Sequence, residues 1–115
     1  KILGVCLGHQ ALAVATGGTL KNLSEVHHGV SHCLLIEVEE PLFLSLPLEF
    51  KVGRYHSWVV DEDSLTEQWQ VTCRDEEGEI MGMMLRELPV FGIQFHPESV
   101  LSPQGKTILK NFLRA

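Results

Sequence analysis

Apolar and polar positions along this chain fall into short blocks, most repeating every second residue and two repeating at helical spacing. Lys1 to Val5 is an apolar run that predicts a short interior strand. Gly8 to Ala15 predicts a helix that turns Leu12 and Ala13 toward a sheet and is closed by Gly17 and Gly18. From Thr19 to Glu25 the pattern weakens to a short strand and a turn, and Ser31 to Val38 resumes as an apolar strand ending in acidic residues. Pro41 to Pro47 predicts a compact connector. Phe50 to Tyr55 alternates, placing Phe50, Val52 and Arg54 on one face, with His56-Ser57-Trp58 at the strand's end. Trp69 to Arg74 and Glu79 to Leu85 flank the polar turn Asp75-Glu76-Glu77-Gly78 and predict a β-hairpin. Val90 to Phe95 is a further strand. Ser102 as N-cap and Pro103 at the first helical position predict a last helix, with Ile108, Leu109, Phe112 and Leu113 on one stripe. These blocks predict an α/β domain with an open, mixed, largely parallel sheet and flanking helices.

Composition narrows the function classes. The 115 residues suit one domain, and 44% of them are hydrophobic. No apolar run approaches the roughly 18 residues a membrane span requires. A net charge of -6 would repel a phosphate backbone, so neither nucleic acid nor membrane is an expected partner. Cys6, Cys33 and Cys73 form an odd set without a C-x-x-C pair, which fits a reducing, cytoplasmic setting and inert core thiols at Cys33 and Cys73. His27, His28 and His32 lack acidic or thiolate ligands at matching spacing. Neither a metal site nor another cofactor is expected. His9 and His56 are expected to pack, and the acidic runs Asp61-Glu62-Asp63 and Asp75-Glu76-Glu77 to be loop charges in water.

The chemistry gathers around Gly4-Val5-Cys6-Leu7-Gly8. Glycines two before and two after Cys6 suit a sharp strand-to-helix turn where side chains would clash, a nucleophile elbow carrying cysteine. The sulfur would then sit over the helix N-terminus, whose N–H groups favour an anion, so Cys6 is expected to ionise readily. Far along the chain, Gly92-Ile93-Gln94-Phe95-His96-Pro97-Glu98 brings an imidazole and a carboxylate two residues apart. In an extended segment both face the same way. Cys6 as nucleophile, His96 as proton carrier and Glu98 as the group orienting the ring form a consistent set.

Gly4-Val5-Cys6-Leu7-Gly8-His9-Gln10, Arg54-Tyr55-His56-Ser57 and Gly92 to Ser99 together resemble the class I glutamine amidotransferases, in particular the glutaminase components of anthranilate synthase and aminodeoxychorismate synthase. The likeness runs from Lys1 to the Lys110-Asn111-Phe112-Leu113 helix. It implies glutamine as substrate, a triad of Cys6, His96 and Glu98, and a γ-glutamyl thioester hydrolysed by water. It also implies ammonia passed to a chorismate-binding synthase component I, in tryptophan (anthranilate) or folate (4-aminobenzoate) biosynthesis. Gln10 and the backbone of Ser57 and Trp58 match the glutamine-holding positions, and Leu7 N–H matches half of the oxyanion hole. Trp58 stands where these components usually have leucine. The chain has no counterpart of the family's N-terminal half with its glycine-rich loop, so residues 1–115 are expected to be the C-terminal part of a single amidotransferase domain. A missing oxyanion donor would lower turnover by about a hundredfold or more, which leaves an inactive fragment open. The same motifs also leave open the glutaminase of a GMP, CTP or carbamoyl phosphate synthetase, and a γ-glutamyl hydrolase.

Overall fold

The computed structural model describes the backbone of all 115 residues and every side chain except those of residues 24–28 and 30. In chain order the elements are β1 (Ile2–Val5), α1 (Leu7–Ala15), β2 (Leu20–Ile36), a 3-10 turn (Pro41–Phe43), β3 (Glu49–Val60), a second 3-10 turn (Glu62–Ser64), β4 (Trp69–Asp75), β5 (Ile80–Leu85), β6 (Val90–Ile93) and α2 (Gly105–Arg114). The strands form one open, six-stranded mixed sheet in the order β1-β6-β5-β4-β2-β3.

The mixed sheet with flanking helices is the predicted architecture, but its parallel character is confined to one pair. β1 runs parallel to β6, while β6–β5, β5–β4, β4–β2 and β2–β3 are antiparallel. Parallel neighbours require a long crossover, and the short connections through this chain permit hairpin-type returns instead. β1 pairs with β6 on one side, from Ile2↔Val90 to Val5↔Ile93.

The second correction concerns β2. It is one strand pairing with β3 along almost its whole length, with register shifts between Asn22 and His27 and between His28 and Val30. Between Asn22 and His27 the ladder is interrupted, and Gly29 takes φ 68°, so strict period-two alternation lapses along the strand and the pattern reads as a break. β3 likewise continues past Tyr55 to Val60, so Ser57 and Trp58 lie within a strand and not at its end.

The helices cover opposite faces. Phe91 of β6 meets Phe112 of α2, with ring centroids 6.2 Å apart and planes at 89°. The next residue, Gly92, faces α1, and a Cβ built there would lie 2.5 Å from His9 Nδ1. Successive strand residues point to opposite faces, so the two helices sandwich the sheet. One core cluster joins Leu42, Phe43, Phe50, Phe95 and Ile108 beneath α2, and another joins Ala13, Trp69, Val71 and Met83 beneath α1. Ile108 is fully buried, and burying such a side chain contributes roughly 1.5–3 kcal/mol.

α2 begins at Gly105 behind Gln104, not at Ser102-Pro103 as the capping signal predicts. The Ser102 hydroxyl is engaged elsewhere: it donates to His96 O at 2.7 Å and accepts from Gly53 N at 2.8 Å.

Glu40, just before the first 3-10 turn, is buried at the edge of the larger cluster. Burial pushes its carboxyl up to about 7, against the usual 4.5, and the nearby Thr72 hydroxyl opposes this only in part. A folded-state value above the unfolded one means that stability is fully present below about pH 4.5 and is lost as pH rises through 7. That window corresponds to about 3 kcal/mol. Glu40→Gln is therefore expected to gain stability over the unsubstituted chain at pH 8 relative to the difference at pH 4. Urea unfolding at the two pH values checks this, and a pH-independent difference would contradict it.

Candidate active site

Cys6 occupies the turn between β1 and α1 with φ 52° and ψ -102°, a conformation that side-chain-bearing residues rarely adopt. Its N–H is tied to Ile93 O at 2.9 Å and its carbonyl accepts from Gln10 N at 3.1 Å, so strand pairing on one side and the helix on the other hold the strained turn. The two flanking glycines are not equivalent. A Cβ on Gly4 would lie 2.7 Å from the Gly8 backbone and from Leu12 Cδ1, whereas one on Gly8 would meet nothing within 4 Å. The predicted clash exists before Cys6 and not after it.

The thiol of Cys6 donates to Tyr55 O at 3.9 Å and receives the Gln94 amide at 3.7 Å. Burial pushes the thiol up from its ordinary value; the Leu7 N–H and the Gln94 amide pull it back in part, and the Glu98 charge adds to the rise. This reverses the direction expected from the helix N-terminus alone, because removing the sulfur from water outweighs the donors around it. Leu7 itself is 76% exposed.

His96 follows β6 and crosses to β3, where it forms an isolated antiparallel bridge with Gly53 and donates its N–H to Gly53 O at 3.1 Å. Ser102 ties the same two residues together from the other side. The ring is set by two neighbours. Its Nδ1 lies 2.7 Å from Glu98 Oε2, and Tyr55 packs edge-on against it with centroids 5.1 Å apart at 88°. The Tyr55 hydroxyl in turn pairs with Ser99 Oγ at 3.0 Å. With Nδ1 facing the carboxylate, Nε2 is the nitrogen left for proton transfer.

Cys6, Leu7, Gln10, Ser57, Trp58 and His96 converge on one cleft of about 430 Å³. Glu98 stands behind His96 on its outer side. Gln10 is buried and donates to Trp58 O at 2.9 Å and to Gln94 Oε1 at 3.1 Å. His56 Nδ1 lies 3.1 Å from the same Trp58 carbonyl. That carbonyl is therefore turned inward, while the Trp58 side chain is 46% exposed.

Behind the cleft stands an ion pair that contradicts the reading of Asp75 as a solvated loop charge. Arg54 Nη1 lies 2.8 Å from Asp75 Oδ2, with side chains only 1% and 3% exposed. Asp75 Oδ1 also accepts from Glu77 N and Glu79 N, both at 2.9 Å, closing the β4–β5 turn. Arg54 Nε donates to His56 Nε2 at 3.0 Å, which places the His56 proton on Nδ1 toward Trp58 O. A chain of polar contacts thus runs from Asp75 through Arg54, His56, the Trp58 carbonyl, Gln10 and Gln94 to the Cys6 sulfur.

His9 is fully buried beneath Gly92, and burial, with the neighbouring His56 second, lowers its value to about 3, so it packs as a neutral ring. Cys73 is fully buried and its thiol is pushed well up, first by burial; Cys33 is half-buried. Among the described residues no group of three His, Cys, Asp or Glu could hold a metal; the side chains of His27 and His28 lie outside the described set. No helix of the described residues is long and apolar enough to cross a membrane.

Sequence reasoning assigned no site role to Gln94, to Ser102 or to the Arg54–Asp75 pair. The available signals were a lone amide in an apolar strand run and an arginine on an apolar face, each of which requires a buried partner.

The family model described as "Glutamine amidotransferase class-I" matches residues 1–115. Aminodeoxychorismate synthase component 2 of Escherichia coli strain K12 is 47% identical over 112 residues, covering 97% of this chain and 59% of that protein. Anthranilate synthase component 2 of Azospirillum brasilense is 42% identical over 112 residues, covering 97% and 57%. The chain thus spans less than two thirds of the length of these curated relatives. A crystal structure from Thermoplasma acidophilum, described provisionally as one of the GMP synthase subunits, superposes with a TM-score of 0.91 at 24% identity, over 99% of this chain and 56% of that one. At that identity the likeness concerns the fold.

Proposed function

The chain belongs to the class I glutamine amidotransferases, and on that footing we propose that it carries the glutaminase centre of a chorismate-aminating synthase. Cys6 Sγ attacks the side-chain amide carbon of glutamine while its proton passes to His96. The C–N bond then breaks, His96 returns the proton to the departing nitrogen, and ammonia leaves a γ-glutamyl thioester. Water, giving a proton to His96, cleaves the C–S bond to release glutamate and restore the thiol. Glu98 holds the imidazole through Nδ1 and stabilises its charged form. The observation that carries this reading is the convergence on one cleft of a strained cysteine at a helix N-terminus and an imidazole backed by a carboxylate at 2.7 Å.

Leu7 N–H, beside the sulfur, serves as one oxyanion donor, and Gln10 with Ser57 and Trp58 forms the wall that receives the substrate. Ammonia passes to a chorismate-binding component I, in tryptophan or folate biosynthesis, in keeping with the names of the relatives. Residues 1–115 act as the C-terminal part of a single amidotransferase domain, and the three free cysteines suit a cytoplasmic setting.

A glutamine-mimicking chloroketone, with modified cysteines mapped by mass spectrometry, tests the reading. Cys6 is expected to be labelled ahead of Cys33 and Cys73, and excess glutamine to slow that labelling. Equal labelling of Cys6 and Cys33, untouched by glutamine, would sink it.

A further inference from the structure

Gln94 is fully buried and directly follows β6, with its backbone N–H donating to Met81 O at 2.9 Å. An amide in such a place must satisfy both its oxygen and its nitrogen within the protein. It does so with two residues of the cleft. Its Oε1 accepts from Gln10 Nε2 at 3.1 Å, and its Nε2 donates to Cys6 Sγ at 3.7 Å. We propose that Gln94 is a further catalytic residue of this site, an amide donor that holds the Cys6 sulfur as it becomes an anion and, through its oxygen, fixes which atom of Gln10 meets the ligand.

Two consequences follow from the geometry. Gln10 Nε2 has two acceptors, Trp58 O and Gln94 Oε1, so both of its N–H bonds are used within the protein. Gln10 therefore meets a ligand through its oxygen and selects a donor, such as the carboxamide N–H or the ammonium of glutamine. The second consequence concerns the sulfur. A hydrogen bond to an ionised acceptor is about twice as strong as one to a neutral acceptor, so the Gln94 amide favours thiolate over thiol. It acts against the burial of Cys6 and the charge of Glu98, with His96, His56 and Tyr55 as the other titratable groups at the cleft. Because one amide makes both contacts, a ligand that pulls on Gln10 is felt at the sulfur.

The role assigned to Gln94 rests on the glutaminase reading, and the test separates the two. Iodoacetamide labelling of Cys6 is followed against pH in the chain and in its Gln94→Met variant, with Cys33 as the reference thiol and Cys73 as the reporter of folding. The variant is expected to move the Cys6 midpoint upward and to slow Cys6 labelling at pH 7 roughly tenfold, with Cys33 unchanged and a higher glutamine concentration needed for protection. An unchanged midpoint and unchanged protection in the folded variant would overturn the proposal while leaving the glutaminase reading standing. No glutamine protection in the unsubstituted chain would count against the latter instead. Should Cys73 become reactive, so that Gln94→Met has not folded, the unsubstituted chain decides by NMR. The Gln94 side-chain N–H resonances are expected to shift through the same midpoint as Cys6 labelling, and resonances that ignore that transition would overturn the proposal.

Discussion

Asp75→Asn is expected to destabilise the chain by roughly 3–5 kcal/mol, the cost of leaving a buried charge without its partner. The Arg54 and Asp75 side chains are 1% and 3% exposed and lie 2.8 Å apart, so the guanidinium has no water to turn to when the carboxylate goes. The asparagine can still accept from Glu77 N and Glu79 N, which keeps the β4–β5 turn and confines the loss to the ion pair. Urea unfolding measures it. The double change Arg54→Met with Asp75→Asn is expected to recover part of the loss, since it removes the unpaired guanidinium and keeps the acceptor for Glu77 N and Glu79 N. An Asp75→Asn variant within 1 kcal/mol of the parent would show that the pair is not isolated from solvent as its burial implies.

Gly105→Ala is expected to destabilise by at least about 3 kcal/mol, the upper end of ordinary overpacking. A Cβ at Gly105 would lie 1.6 Å from Pro97 O and 2.5 Å from Pro97 C, and backbone cannot swing aside as a side-chain tip can. The helix start and the His96-Pro97-Glu98 segment would have to separate. The labelling rate of Cys6 and its response to glutamine should therefore change together with the melting temperature. Gly8→Ala provides the comparison: with nothing within 4 Å of its Cβ, it should be neutral or gain the roughly 1 kcal/mol by which alanine exceeds glycine in a helix. Equal melting temperatures for the two variants would refute the assigned packing.

The elements legible in the sequence were those set by neighbours along the chain. β1, α1, the β4–β5 hairpin and the amphipathic stripe of α2 follow from periodicity and glycine placement, and they are present. β2 was not legible as one strand because its register against β3 shifts twice, which breaks the period-two pattern along its length. The start of α2 was misread for a different reason. Ser102 satisfies the usual capping pattern, yet its hydroxyl bridges Gly53 N and His96 O, residues far from it in sequence. Asp75 looked like a loop charge because its partner, Arg54, lies in another strand.

The sequence by itself determined the chemistry on offer: a cysteine in a tight turn, an imidazole with a carboxylate two residues on, and a domain built of strands between two helices. Local geometry suffices for these, since turn strain and side-chain alternation depend on adjacent residues. Only the tertiary structure decided the environment of that chemistry. It set the Cys6 thiol above its ordinary value, turned Gln10 and the Trp58 carbonyl inward, and placed Gln94 against the sulfur. Burial and long-range hydrogen bonding govern these outcomes, and both depend on which strands become neighbours in the sheet.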